Sequence, residues 1–409
     1  MLGNKNMPEF GPLQGVKVIH ASASLAGPFS AQLMADYGAD VVWIENPDIP
    51  DISRYGTNVI IPQERRNQRN LAINLATPEG KEIFLKMLKD VDVFLETSKA
   101  GQYTKWGLTD EVMWEANPKL VILHISGFGQ TGLAEYIKRP SFDPLAQAVS
   151  GLMNQNGFED REGIPVVPFM ADYITGLYGA FSIMSAVYKA KMTGQGESID
   201  LAQYEVLLRS QIYFADYRTK GLTYKREGSR SAVYAGWGAF ECKDGKGLYI
   251  IFIGGGVMKR GLPFIGLEYG TDLFPKGCSI MTLDSPAGEA LEKHLKAYLE
   301  TKDSAEEAEK ELVENGIPAS RIMTYADIVK DPHVIKRDIF ADWVDFKGKT
   351  IKGIGAIPKL KNNPGRVWRA APELGMDNEE ILEEVGYTSD QVENLYSKGI
   401  IGKTKSEAK

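Results

Sequence analysis

The fold is decided by Val16-Lys-Val-Ile-His20, a helical pattern from Pro28 to Tyr37 that ends at Gly38, and Val41-Val-Trp-Ile44. The two short apolar runs are rich in β-branched residues and predict strands. The segment between them is too long for a turn and has the spacing of a helix. A strand, a helix and a strand in this order form a unit whose two strands lie parallel in one sheet.

The same alternation continues through the first 200 residues. Leu71–Leu75, Val91–Leu95 and Leu120–Ile125 predict further strands, and Thr77-Pro78-Glu79 opens a helix with a capping residue and a proline in its first turn. We therefore predict the α/β class, with a large doubly wound, Rossmann-like domain. Such a sheet binds its ligands at the carboxyl ends of the strands.

The pattern changes near residue 224. Trp237–Ile253 predicts two strands joined by the turn Asp244-Gly245, and charged helical segments follow at Ser285–Thr301 and Ser304–Asn315. We interpret residues 1–200 as the first part of the large domain, 201–223 as a linker and 224–325 as a smaller α+β domain. Residues 326–409 are predicted to form a second linker and a C-terminal return to the large domain.

Composition excludes several classes of protein. The net charge of −7 argues against nucleic acid as a partner. Cys242 and Cys278 are too few and too far apart for a metal cage, and the four histidines are scattered, so no metal site is predicted. The N-terminus has no signal-peptide pattern and no apolar run reaches membrane length. We expect a cytoplasmic protein that does not bind a membrane.

One aspartate is placed unusually. In Pro165-Val-Val-Pro-Phe-Met-Ala-Asp172-Tyr-Ile-Thr-Gly176, Asp172 precedes a small, apolar helical segment, Tyr173–Lys191. The free N–H groups and the dipole of a helix start favour a carboxylate there. An aspartate at this position is most often a simple N-cap, and a nucleophile is the alternative. The local pattern leaves both open.

Several loops follow predicted strands and are candidates for ligand contacts. Ala26-Gly27-Pro28 opens the first helix without a dinucleotide fingerprint. Lys99 and Lys105 follow the strand that ends at Leu95, where lysines are usually solvated but can meet a phosphate. Gly254-Gly-Gly256 is either a mobile lid or a plain turn. His124 lies in an apolar strand and is interpreted as a satisfied core histidine.

Together, motifs along almost the whole chain resemble the ordered signature of the family III CoA-transferases. They are, in chain order, Leu13-Gln-Gly-Val-Lys-Val-Ile19, Leu25-Ala-Gly-Pro28, Ala35-Asp-Tyr-Gly-Ala-Asp-Val41, Ser126-Gly-Phe-Gly129, Ala146-Gln-Ala-Val-Ser-Gly151, Ala171-Asp172, Thr193-Gly-Gln-Gly196, Gly316-Ile-Pro-Ala319 and Asp331-Pro332. The similarity looks closest to the carnitine CoA-transferase branch. The segments that suggest this branch are Trp43-Ile-Glu-Asn46, Asp110-Glu-Val-Met-Trp114, Asn117-Pro-Lys-Leu-Val121 and Lys361-Asn-Asn-Pro-Gly-Arg-Val-Trp-Arg369.

The resemblance implies roles for particular residues. The nucleophilic aspartate of the family falls on Asp172, and CoA contacts fall on Ala26, Lys99 and Lys105. Lys105 stands where formyl-CoA transferases have arginine, so it keeps the charge but loses the bidentate fork. Gly254-Gly-Gly256 resembles a glycine lid, although it is shorter. An interlocked homodimer is also implied.

The implied reaction moves CoA between an acyl-CoA and a free carboxylic acid, through an aspartyl-acyl anhydride and an aspartyl-CoA thioester. The CoA thioester is a substrate, and no metal or redox cofactor is expected. The branch implies a trimethylammonium acid, such as carnitine, γ-butyrobetaine or crotonobetaine, with another short-chain acid as an alternative.

Two further functions compete with this one. An acyl-CoA racemase of the same fold would need a histidine near Phe142, beside Asp143, and the sequence has none there. A non-catalytic acyl-CoA-binding or regulatory protein would not need the intact Ala171-Asp172. Both alternatives are therefore less favoured than CoA transfer.

Overall fold

A computed structural model describes residues 2–55 and 60–404. Residues 1, 56–59 and 405–409, which the predicted large domain includes, lie outside the described residues. By its internal contacts the chain divides into two compact units. The first comprises Met1–Leu152, Val166–Ala215 and Arg337–Lys409, and the second comprises Met153–Pro165 and Asp216–Lys336.

The first unit contains a parallel sheet of six described strands in the order β3-β2-β1-β4-β5-β6. The strands are β1 (Lys17–Ala21), β2 (Asp40–Glu45), β3 (Gln68–Ala72), β4 (Val93–Glu96), β5 (Val121–Ser126) and β6 (Glu197–Ala202). All five neighbouring pairs are parallel. The predicted parallel α/β sheet is therefore confirmed, and its strand order is that of a doubly wound nucleotide-binding fold.

Helices connect these strands and continue to the C-terminus. Within the described residues, the α-helices in chain order are α1 (Ala26–Asp36), α2 (Ile60–Glu64), α3 (Pro78–Leu88), α4 (Gln102–Lys105), α5 (Asp110–Ala116), α6 (Ala134–Ile137), α7 (Asp143–Val149), α8 (Leu152–Gln155), α9 (Met170–Thr193), α10 (Gln203–Arg209), α11 (Ile212–Lys220), α12 (Gly255–Phe264), α13 (Pro286–Glu300), α14 (Ala305–Glu314), α15 (Tyr325–Ile328), α16 (Pro332–Lys336), α17 (Asn378–Glu384) and α18 (Ser389–Ser397). A short 3₁₀-helix spans Ile52–Arg54. None of the helices in the described ranges is long and apolar enough to cross a membrane.

The strand predicted at Leu71–Leu75 begins three residues earlier, at Gln68. All residues of β3 are buried, although the first three are polar. They are tolerated because each has a partner: Gln68 meets His20 at 2.8 Å, Arg69 donates to Glu384 at 2.8 Å and Asn70 donates to Glu45 at 2.6 Å. An apolar pattern cannot locate such a strand.

Both faces of the sheet are covered. Alternate strand residues such as Ile19 and Phe94 pack with α3, α17 and the segment that ends at Ile401, whereas Val18 and Leu95 pack with α1 and α9. The C-terminal segment that contains α17 is held at β3, because the Asn378 side chain accepts a hydrogen bond from the Ala72 N–H at 2.9 Å. The C-terminal segment thus belongs to the first unit.

The second unit is an antiparallel sheet with its own helices and apolar core. Its strands are β7 (Trp237–Glu241), β8 (Gly247–Ile251) and β9 (Ala319–Arg321), and the hairpin between β7 and β8 forms where the sequence predicts it. The predicted small domain, 224–325, lies inside this unit. Residues 153–165 also cluster with it, and Phe158 forms a bridge with Glu227. A two-stranded antiparallel ribbon, β10 (Phe340–Val344) and β11 (Thr350–Ile354), belongs to the first unit.

Helices α1 and α9 approach each other closely because α9 presents glycine at the contact. A Cβ atom at Gly176 would lie 2.7 Å from Phe29 and 2.9 Å from the Ala26 carbonyl oxygen, and one at Gly179 would lie 2.5 Å from Ser30. Ser30 also donates a hydrogen bond to the Gly176 carbonyl oxygen at 2.9 Å. This contact sets the start of α1 against the start of α9.

We predict that Gly176→Ala destabilises the protein by about 1–3 kcal/mol, since the added methyl group overpacks the contact and must displace backbone. The measurement is chemical denaturation, with Ser185→Ala on the exposed side of the same helix as the control. A loss in Gly176→Ala no larger than that in Ser185→Ala would contradict the described packing.

Candidate active site

The carboxyl ends of the strands surround a cleft of about 270 Å³ in the first unit. Loops after β1, β4 and β5 contribute Ala26, Lys99 and Gly127 to its lining. The cleft therefore lies where a doubly wound sheet changes the direction of its strand order, between β1 and β4. Asp172 and Gln203 complete the wall.

Asp172 is not the N-cap of its helix. The helix begins at Met170 rather than at Tyr173, so Asp172 is its third residue, and Phe169 precedes it in a left-handed conformation with φ of 49°. The Asp172 carboxyl instead accepts a hydrogen bond from Gln203 Nε2 at 2.5 Å. The simple capping interpretation is thus not what the structure shows.

The environment of the Asp172 carboxyl disfavours its charge. Burial raises its pKa, the nearby Asp143 carboxylate raises it further, and the Gln203 hydrogen bond lowers it, with a net value of about 7. Asp172 therefore exchanges a proton near neutral pH. A carboxylate that is poorly solvated in this way is a stronger nucleophile than one in water.

Asp143 takes over the role of securing the start of α9. It is buried, with 3% of its surface exposed, and its Oδ2 accepts a hydrogen bond from the Asp172 backbone N–H at 3.0 Å. Its Oδ1 accepts from Gln147 Nε2 at 2.6 Å. Gln147 is fixed in turn by two hydrogen bonds to the backbone of Val166. This network holds the backbone of Asp172 in place and leaves its side chain to the cleft.

The loop that carries Lys99 is anchored by a buried charge network. Glu96, at the end of β4, accepts hydrogen bonds from the Ser98 N–H and from His124 Nδ1, the latter at 2.7 Å. His124 Nε2 bonds Asp110 at 3.0 Å. Burial lowers the pKa of His124, but the bonds to Asp110 and Glu96 outweigh it and raise the pKa to about 10. Both ring nitrogens of His124 have partners, as expected for a satisfied histidine, and its two carboxylate partners favour the protonated form.

A second cleft of about 420 Å³ shares Ala23, Thr97 and Ser98 with the first. The ends of β1, β2 and β3 line it, together with Tyr103 and Trp106, whose rings pack edge to face at 5.2 Å. The two clefts are thus neighbours that share the loops after β1 and β4.

The predicted site residues fall in different places. Ala26, Lys99 and Asp172 line the first cleft together. Lys105 is exposed at the end of α4 and lines neither of the two clefts described. Gly254–Gly256 lie in the second unit, where Gly254 precedes α12 and the other two glycines begin it. The role of a lid stays a prediction.

Three residues near Asp172 were not assigned a role from the sequence: Gln203, Asp143 and Arg139. Gln203 is the first residue after β6, a strand absent from the predicted set. The alternation of Glu197-Ser-Ile-Asp-Leu-Ala202 is the signal that marks this strand. Arg139 lines the cleft with its guanidinium 3.8 Å from the Tyr136 ring centroid.

We predict that Asp172→Asn gains stability relative to the wild type as pH rises. The folded protein keeps a proton on Asp172 up to a pKa of about 7, whereas an aspartate in the unfolded chain has its ordinary pKa of 3.8. The wild type therefore loses free energy of unfolding between about pH 4 and 7, and Asn, which does not titrate, loses none at this site. The difference between the two proteins should be larger at pH 8 than at pH 5, on the order of 2 kcal/mol. Denaturation curves that run parallel from pH 5 to 8 would show that the carboxyl is not desolvated.

Comparisons with known proteins identify the family of this chain. The model of CoA-transferase family III matches residues 13–378. The chain is 41% identical over 404 residues to the bile acid CoA-transferase BaiK of Clostridium scindens, which covers 97% of this chain and 91% of that protein.

Solved structures show the same fold. A CAIB/BAIF family protein from Brucella suis superposes with a TM-score of 0.77 at 27% identity, over 92% of this chain and 100% of that one. The Rv3272 protein of Mycobacterium tuberculosis superposes with a TM-score of 0.76 at 21% identity, over the same shares of the two chains. The chain therefore belongs to family III of the CoA-transferases, a family of enzymes.

Proposed function

We propose that Asp172 is the nucleophile of this CoA-transferase and carries both covalent intermediates. The observation that supports this most strongly is a half-buried carboxyl in the wall of a ligand-sized cleft, with its pKa raised to about 7. A surface aspartate would remain solvated and unreactive toward a thioester. The proposal needs no metal or redox cofactor, and the CoA thioester is a substrate.

The reaction follows from the chemistry of this carboxylate. An oxygen of ionised Asp172 attacks the thioester carbonyl carbon, the carbon–sulfur bond breaks, and CoA leaves as the thiolate. The thiolate then attacks Asp172 Cγ, and the donor acid leaves as a carboxylate. The acceptor acid repeats these steps in reverse order. Each intermediate keeps the reactivity of the thioester as long as water is excluded.

The two clefts are the proposed binding site for CoA. Lys99, on the loop that separates them, can meet a phosphate as a point charge. Tyr103 and Trp106 offer apolar surface to the adenine in the second cleft. This arrangement would bring the thiol end of CoA into the first cleft, beside Asp172. Lys105 is exposed near the second cleft wall and retains a proposed role as a phosphate contact through its charge.

The acid is proposed to be apolar and of the bile-acid type. The first cleft is lined by Leu25, Ile125, Ile137 and Phe142, with Lys99 and Arg139 as its cationic residues among those described. A trimethylammonium group needs aromatic faces or a second carboxylate and is repelled by cations. A relative with 41% identity is named for bile acids, which supports the apolar candidate.

The trimethylammonium acid predicted from the branch resemblance remains the alternative. Tyr173, Tyr178 and Tyr213 lie in the first unit and are candidate aromatic faces for such a cation, but none of them lines the cleft. Tyr173 donates instead to the buried Glu64 at 3.1 Å. Tyr217, Tyr234 and Trp237 belong to the second unit. The cleft therefore gives the cation no aromatic cage among its described residues.

A racemase is less well supported. Phe142 lines the cleft at the position where a racemase would need histidine, and none of the four histidines of the chain lines this cleft. Among the described residues that line the cleft, Asp172 therefore has no histidine as a partner for α-proton transfer. The expected homodimer also remains a prediction; the exposed apolar residues Leu177, Phe181 and Tyr188 of α9 are compatible with it.

We predict that Asp172→Asn abolishes CoA transfer while the protein keeps its fold, because an amide oxygen does not attack a thioester. Transfer is measured by chromatography of the two acyl-CoA species, and mass spectrometry after incubation with acyl-CoA and hydroxylamine should find the wild-type modification at Asp172. Asp160→Asn, at an exposed carboxylate outside the cleft, is the control. Transfer by Asp172→Asn at a rate near that of the wild type would overturn the proposed function.

We predict that a bile acid is a better acceptor than γ-butyrobetaine with the same CoA donor. The expected ratio of kcat/KM is at least about tenfold, equivalent to about 1.4 kcal/mol, because the cleft offers apolar contacts and repels the cation. The uncharged isostere 5,5-dimethylhexanoate separates size from charge. A kcat/KM for γ-butyrobetaine above those of both other acids would support the trimethylammonium acid instead.

A further inference from the structure

Gln203 is held rigidly beside the carboxyl of Asp172. It follows β6 directly and is the first residue of α10, and only 5% of its surface is exposed. Its backbone position is fixed by the pairing of β6 with β5, in which Ala202 lies opposite Ser126. From there, Nε2 donates to Asp172 Oδ1 at 2.5 Å. A short bond from a neutral amide to a carboxylate is of the stronger, charge-assisted kind.

This bond makes the two oxygens of Asp172 different. Oδ1 is occupied by the Gln203 N–H group, and no residue in the described ranges donates a hydrogen bond to Oδ2. If Asp172 acts as the proposed nucleophile, on which this inference rests, Oδ2 is the oxygen that attacks the thioester. Oδ1 then becomes the carbonyl oxygen on the aspartyl side of the anhydride, with the amide donor still beside it.

We propose that Gln203 is a catalytic residue that stabilises the oxyanion formed on Asp172 Oδ1 whenever Asp172 Cγ is attacked. In the anhydride, the CoA thiolate adds to Cγ, and the π electrons of the Cγ–Oδ1 bond move to Oδ1. The carbonyl then re-forms and the Cγ–Oδ2 bond breaks. The donor acid leaves with Oδ2 as a carboxylate, and the products are the aspartyl-CoA thioester and the free acid.

The same donor acts when the acceptor acid enters. An oxygen of the incoming carboxylate adds to Cγ of the aspartyl-CoA thioester, charge again develops on Oδ1, and the carbon–sulfur bond breaks to release the thiolate. By contrast, attack on the acyl carbonyl carbon places the charge on the acyl oxygen, away from Gln203. Gln203 therefore assists the steps at Cγ and not the steps at the acyl carbon.

Gln203→Met tests this selectivity, because methionine has a similar length and no donor. We expect kcat to fall about 100- to 1000-fold, the usual effect of removing one oxyanion donor, with little change in KM for acyl-CoA. The rapid release of CoA when the enzyme is mixed with acyl-CoA should persist, since anhydride formation places no charge on Oδ1. The amplitude of that release, measured by quenched flow, counts competent sites and corrects for any misfolded fraction.

Arg209→Met, exposed on the same helix and outside the cleft, is the matched control and should turn over like the wild type.

Hydroxylamine reports which carbon of the anhydride is attacked. Attack at Cγ leaves a hydroxamate on Asp172 and frees the donor acid, whereas attack at the acyl carbon gives an acyl hydroxamate and unmodified Asp172. We expect the ratio of Asp172 hydroxamate to acyl hydroxamate to be at least about tenfold lower in Gln203→Met than in the wild type. Asp172→Asn supplies the background from direct reaction of acyl-CoA. If Gln203→Met does not fold, Gln203→Asn, whose shorter side chain draws the amide away from Oδ1, is measured in its place.

The roles proposed for Gln203 and for Asp172 would be contradicted by different results. The role of Gln203 alone would be overturned by three results together. Asp172 is labelled in the wild type, and the Gln203 variant keeps both its kcat per competent site and its hydroxamate ratio. An equal loss of CoA release and of later steps would assign Gln203 a purely structural role and would also overturn it. Absence of labelling in the wild type together with an active Asp172→Asn would remove the proposed function itself.

Discussion

Six parallel strands place all of their carboxyl ends at one edge of the sheet, and the groups of the candidate site are reached from that edge. The strand order changes direction between β1 and β4, so the loops after these strands separate and leave space for a ligand. Lys99 follows β4, Gln203 follows β6, and the start of α1 follows β1. Asp172 arrives by a different route, on the first turn of α9.

Two structural contacts position helix α9, and neither of them involves the Asp172 side chain. Gly176 and Gly179 allow α9 to lie against α1, and the buried carboxylate of Asp143 accepts the Asp172 backbone N–H. Because Asp143 secures the helix start, the Asp172 side chain need not serve as a cap. Burial is the main reason why the pKa of Asp172 is raised, and the Asp143 carboxylate that supports the helix start raises it further.

The sequence predicts the strands and helices best where their buried residues are apolar. β1, β2 and β5, the hairpin of the second unit and the long helix all follow from hydrophobic patterns, and Asp172 follows from its position and from ordered family motifs. The predicted position of β3 is wrong because its first buried residues are polar and paired, and β6 is absent from the predicted strands although its alternating pattern marks it. Gln203 was missed with β6. Its contact with Asp172 joins residues 31 positions apart, and no local pattern encodes such a contact.

The edge strand β3 has a consequence for how the chain reaches its folded state. Arg69 is 1% exposed and forms ion pairs with Glu380 and Glu384, and the Asn70 N–H donates to Asp377 Oδ2 at 2.8 Å. These partners are 311, 315 and 307 positions later in the chain. During synthesis from the N-terminus, β3 emerges after Asp40, its first ion-pair partner, but long before these three carboxylates and the segment that covers its edge. The first unit thus reaches its final stability only when the C-terminal helices have been made, and a chain released early would leave Arg69 with Asp40 as its ion-pair partner and would expose an open sheet edge.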